Sequence, residues 1–106
     1  GHLAARELMT LASPPTAIFA INDNTAMGAL SALAQLGVSV PGDISVVGYN
    51  DIPIVSHLPT PLTTVRTPFD QIAAAAVNLL LDGEDPAEPI IRTAPTLIPR
   101  QSTRRL

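Results

Sequence analysis

Hydrophobic and polar positions fall into blocks whose period changes along this chain. Short β-branched apolar runs at Thr16–Ile21 and Ile44–Tyr49, and a shorter one at Leu62–Arg66, have the pattern of strands buried on both faces. Between them apolar residues return at helical spacing. Leu3, Ala4, Leu8, Met9 and Leu11 predict a helix over 3–12, stopped by Ser13-Pro14-Pro15. Ala26, Met27, Leu30, Leu33 and Ala34 predict a second helix from Asn24 to Leu36, capped by Asp23 or Asn24 and closed by Gly37. A third runs from Pro68 to Leu81, with proline in its first position. Val40–Asp43 reads as a turn, Ile52–Thr60 as irregular, and Asp82–Pro86 as a solvated loop. Ile90–Pro99 reads as a last strand at or near an edge, because Pro95 interrupts it, and Gln101–Leu106 as a polar tail.

Helices that separate strands imply right-handed crossovers. The expected fold is therefore α/β, a mostly parallel open sheet with helices on both faces. Two of its strands end in the same dipeptide, Asn22-Asp23 and Asn50-Asp51. In such sheets ligands sit in the crevice outside the carboxyl ends of the strands. The repeated amide-carboxylate pair predicts a polar recognition site there.

Composition narrows the picture. Aliphatic residues must build the core, since Phe19, Phe69 and Tyr49 are the only aromatics. The net charge is −3 and no basic stripe is present, so this chain alone is a poor nucleic-acid binder. There is no cysteine, hence no disulfide, thiol nucleophile or cysteine metal site. His57 has no metal-spaced companions, and no G-x-S-x-G or Gly-rich phosphate motif occurs. Neither metal, cofactor, catalysis nor membrane span is expected.

TAIFAINDNTAMGALSALAQLGVSVPGDISVVGYNDIP, followed by PLTTVRTP and LIPRQST, closely resembles the effector-binding domain of the lactose-repressor family of bacterial transcription regulators. The resemblance extends from Gly1 to about Thr103 and implies a two-lobed, periplasmic-binding-protein-like fold that closes on a small effector. It further implies that residues 1–106 are part of the C-terminal lobe, with the N-terminal lobe and the DNA-binding headpiece outside this chain. Partners implied are a sugar-like effector, a second copy of the chain, and operator DNA only through that headpiece, all in the cytoplasm. A periplasmic sugar-binding component of a transporter is the alternative.

The resemblance places Asn22, Asn50, Asp51, Arg66 and Thr67 at the ligand. Each also has a plainer reading. Asn22 can simply close a strand-helix turn, Asp23 can be a helix cap or an orienting partner, Asp51 can orient Asn50, and Arg66 can form a surface ion pair. Asn50 stands where the family commonly has aspartate, and an amide there favours a neutral ligand of mixed donor and acceptor character. Met27, Leu30 and Leu58 read as core by their pattern and as dimer interface by the resemblance. The strand Thr16–Ile21, lacking its usual neighbours, is expected to expose a backbone edge and promote self-association.

Overall fold

The computed structural model describes residues 1–81 and 90–105. Its elements, in chain order, are α1 (His2–Leu8), β1 (Ala17–Phe19), α2 (Asp23–Gln35), β2 (Ser45–Asn50), a 3-10 turn (Pro53–Ser56), β3 (Thr63–Arg66), α3 (Phe69–Leu81) and β4 (Thr96–Ile98). The four strands form one sheet in the order β1-β2-β3-β4. β1 and β2, and β2 and β3, are parallel, whereas β4 runs antiparallel to β3 with Val65 opposite Leu97.

Most expected elements form, with altered limits. α1 ends before the expected residue 12. Thr10 gives both its amide and its hydroxyl to the Glu7 carbonyl, at 3.0 and 2.7 Å, and so tightens the chain ahead of the two prolines. The last strand is confined to three residues between Pro95 and Pro99. Proline has no N–H to give a ladder, so this strand cannot extend across either one. The predicted loop Asp82–Pro86 lies outside the described residues.

The core is aliphatic. Ala26 and Leu33 of α2 pack on Ala20, Ile44, Val46, Val55 and Leu62. Alternation in β2 explains this: Val46 and Gly48 are buried toward α2, while Val47 and Tyr49 point the other way. α1 joins the same side through Ala5, which packs with Ala29 and Ala32.

The sheet is open and mostly parallel, as expected, and the packed helices α1 and α2 lie on one side of it. The face away from α2 carries Phe19, Val47, Tyr49, Val65 and Leu97 in register, and Phe19 and Leu97 are exposed. Phe19 and Tyr49 touch edge-on there, with centroids 6.5 Å apart. α3 does not cover this face, for none of its residues is buried, although it presents Phe69, Val77, Leu80 and Leu81. The molecule is accordingly long, 56 × 27 × 23 Å, with a radius of gyration of 17.6 Å. A compact domain of this length has roughly 13 Å.

Candidate functional site

The carboxyl ends of β1, β2 and β3 meet at one edge of the sheet, and the two Asn-Asp dipeptides behave differently there. At the end of β1, Asn22 is the N-cap of α2. Its Oδ1 accepts the Thr25 amide at 2.8 Å, one of the N–H groups a helix start leaves free. The cap thus lies one residue earlier than the first of the expected positions. The reason is that Asp23 is drawn inward: it is 1% exposed. Its Oδ1 accepts the Thr64 hydroxyl at 2.6 Å and its Oδ2 the Ile52 amide at 2.8 Å. One carboxylate therefore ties α2 to β3 and to the segment leaving β2. Gly48 makes room for it, since a Cβ there would overlap Asp23 Oδ1.

At the end of β2 the backbone itself is unusual. Asn50 has φ 108° and Asp51 φ 59°, consecutive left-handed residues without glycine. Asparagine and aspartate tolerate this region better than other side chains, but at a cost. Strong contacts hold the turn. Asp51 Oδ2 accepts from both Nε and Nη2 of Arg66 at 2.7 Å. Its Oδ1 accepts from Arg100 Nη2 at 2.7 Å. The Asp51 side chain is 5% exposed, Arg100 16% and Arg66 57%. Burial pushes the Asp51 carboxyl up, but the hydrogen bonds and positive charges of Arg100 and Arg66 outweigh it and hold the group below its ordinary value.

Arg100 is fixed in turn. Its Nη1 donates to the Leu62 carbonyl at 2.8 Å, and its backbone N–H to Thr63 Oγ1 at 2.9 Å. Beyond it Ser102 is completely buried. Ser102 Oγ donates to the Val46 carbonyl at 2.6 Å and accepts the Thr63 amide at 2.8 Å, while its carbonyl accepts the Val46 amide at 2.8 Å. The segment expected to be a polar tail is thus the seam between the starts of β2 and β3. Sequence reasoning missed Arg100 and Ser102. The signal available was PRQST inside a motif otherwise read only for its resemblance; no local pattern pairs a serine with a strand 56 residues away.

Asn50, Asp51, Arg66 and Thr67 line a cleft of about 480 Å³ closed on one side by the start of α3. The structure brings these four expected residues together. Asn22 stands at the same sheet edge, one strand over, outside the cleft lining. Thr67 Oγ1 donates to Asn50 Oδ1 at 3.3 Å, which leaves the Asn50 NH2 as its open group. Met27, Leu30 and Leu58 lie elsewhere, in an apolar groove of about 300 Å³ with Val38 and Val40, and they also pack on the core. His57 is exposed after the 3-10 turn.

Residues 2–103 match the family model for the periplasmic binding protein-like domain. Over 99% of its length the chain is 42% identical to the lactose operon repressor of Rhizobium radiobacter, covering 95% of that protein. The chain belongs to the lactose-repressor family. It spans about a third of several other curated relatives, for example 31% and 33%. Among solved structures, the lac repressor dimer bound to operator and the anti-inducer ONPF superposes with a TM-score of 0.87 at 30% identity, over 96% of this chain and 36% of that one. A LacI family regulator from Lactobacillus casei with bound sucrose gives 0.81 at 36% identity, over 96% and 39%. These likenesses agree with a mostly parallel open sheet.

Proposed function

We propose that this chain is part of the C-terminal lobe of the effector-binding domain of a repressor-type transcription regulator. It forms one wall of the pocket for a small sugar-like effector, at the carboxyl edge where β2 and β3 end. Asn50, Thr67 and Arg66 contact the effector directly. Asn22 contributes its amide NH2 from the neighbouring strand end. Asp51 lines the cleft, but with both oxygens held by arginines it serves to aim Asn50 and Arg66. Asp23 acts behind them as a structural bridge.

The observation that carries this reading is the cleft itself. Strained backbone at Asn50-Asp51 is held by an ion cluster around the buried Asp51 carboxylate, directly beside the open polar groups. Strain of this kind collects at ligand sites, where the surrounding structure fixes it. The names of the matched relatives support a regulator over a transport component. They also support a sensor without catalysis that works in the cytoplasm. No helix among the described residues is long and apolar enough to cross a membrane.

The mechanism is a population shift: an effector that fits one lobe arrangement better biases the protein toward it and changes operator affinity. Contact with DNA is left to a headpiece outside this chain. The apolar groove of Met27, Leu30 and Leu58 pairs with a second copy, and the outer edge of β1 is a second route to self-association.

Calorimetry of the full-length regulator against a panel of sugars tests the effector site. Asn50→Ala is expected to weaken binding about tenfold or more, on the scale of a lost polar contact that leaves its partner unpaired. Wild-type affinity for every sugar in both Asn50→Ala and Asn22→Ala sinks the assignment. Met27→Glu, read by analytical ultracentrifugation, is expected to shift the regulator toward monomer.

A further inference from the structure

Asn50 owes its aim to its backbone. The contact to its side chain, from Thr67 Oγ1 at 3.3 Å, is long for a hydroxyl donor. Its φ of 108° lies beyond even the small left-handed basin, so the surroundings must hold it there. That hold comes through Asp51, next in the chain, whose carboxylate takes one arginine on each oxygen. The two arginines are not equivalent. Arg66 lines the cleft and is exposed, and among the described residues its side chain bonds to Asp51 alone. Arg100 stands outside the cleft lining and is largely buried. Its guanidinium joins Asp51 Oδ1 to the Leu62 carbonyl, and its backbone N–H donates to Thr63 Oγ1. The next residue is pinned as well, the Gln101 amide donating to the Pro61 carbonyl at 2.9 Å. Arg100 thus meets Asp51 from a fixed frame at the start of β3.

We propose that Arg100 is a positioning residue of the effector site: it touches no ligand, and it sets Asn50 by clamping Asp51. The proposal rests on the cleft being the effector site. Arg66 cannot be the anchor, because it belongs to the open side of the cleft. A ligand that drew its guanidinium away would leave a buried carboxylate unpaired, and that cost would be set against binding. With Arg100 in place the carboxylate keeps a partner throughout. Lysine is a poor substitute at position 100, because an ammonium lacks the planar fork that spans Asp51 and Leu62.

Calorimetry of the full-length regulator tests this, with whichever of glucose, galactose, lactose, sucrose and ribose binds the wild type most tightly. Arg100→Gln keeps a stem and one amide donor but no charge, and is expected to weaken binding about tenfold. Arg100→Lys should recover part of the loss, binding about threefold more weakly than wild type. Coupling is the decisive readout. Beside Asn50→Ala the same Arg100→Gln change should cost about twofold or less, because the side chain it aims is gone. Lost stability alone does not give that pattern. Leu33→Ala opens a cavity in the core under α2 and should lower Tm, yet leave affinity within about twofold of wild type. Wild-type affinity in Arg100→Gln, or equal losses in both backgrounds, overturns the role of Arg100, while weak binding by Asn50→Ala keeps the effector site standing. Wild-type affinity in Asn50→Ala, or no binding of any of these sugars, overturns the site and the role of Arg100 together. Should Arg100→Gln fail to fold, Arg100→Lys enters the same cycle, with about threefold expected in the wild-type background and almost nothing beside Asn50→Ala.

Discussion

The two Asn-Asp strand ends share a sequence and divide its work in opposite ways. At Asn22-Asp23 the amide does the local job, capping α2, and the carboxylate goes inward to join three parts of the fold. At Asn50-Asp51 the carboxylate is clamped by two arginines and the amide faces the cleft. The backbone just after each pair decides the difference. Asp23 begins a helix, whose first turn aligns the side chain with Gly48, the one β2 position lacking a Cβ to block it. Asp51 begins no helix; two left-handed residues turn the chain back toward Pro53. A dipeptide at a strand end is thus not a unit of function, because the next turn of backbone assigns the roles.

On this contrast, loss of the Asp23 bridge is expected to cost the most stability and changes at the Asn50-Asp51 turn less. Asp23→Ala is the most damaging change expected, about 4 kcal/mol of unfolding free energy in urea titration, since it strands a buried hydroxyl and a buried amide that had bonded a charged group. A loss under about 1 kcal/mol, no more than an ordinary hydrogen bond, would show that Asp23 is not the bridge described. Gly48→Ala attacks the same bridge from the other side. The added methyl meets Asp23 Oδ1 and Leu62 Cδ2, so about 2–3 kcal/mol should be lost by the same measurement.

Asp51→Asn should cost less, about 2 kcal/mol, as Arg66 is exposed and only Arg100 is largely buried. Here pH gives a separate check. The folded carboxyl titrates below its unfolded counterpart, so its contribution is complete above the ordinary value of 3.8 and disappears as pH falls through the lowered one. The gap between wild type and Asp51→Asn should therefore be constant near neutrality and close only in acid, under about pH 4. A gap that widens on acidification contradicts the ion cluster. Asn22→Ala is the mildest, about 1 kcal/mol, the usual cost of an N-cap.

Much of this arrangement was legible in the chain itself. β1, β2 and β3 were legible as short apolar, β-branched runs, and the ends of those runs marked the edge where Asn50 and Thr67 line a cleft. α2 was legible to within a residue at each end. Less visible was anything that depends on a distant partner. Arg100 and Ser102 sit in a stretch whose composition says only that it is polar, and their importance comes from Asp51, Val46 and Thr63, dozens of residues earlier. α3 shows the converse. Its apolar pattern forms a helix, yet periodicity carries no information about which surface that helix meets, and among the described residues it meets none that buries it. β4 turned antiparallel for a similar reason: sequence order implies a crossover but not the direction of the strand that returns.

The Ser102 seam also bears on how the protein is made. Val46 and Thr63 emerge from the ribosome early, yet the serine that satisfies their buried backbone groups arrives 56 and 39 residues later. Until Ser102 is synthesised, the starts of β2 and β3 lack the hydroxyl that joins them in the finished sheet, while the residues of α1 and α2 have already been made. Domains that fold as they are translated usually assemble from the N-terminal side. β2 and β3 can pair along their ladder before then, but the Val46 carbonyl and the Thr63 amide wait for the segment around Ser102 to give them their partner.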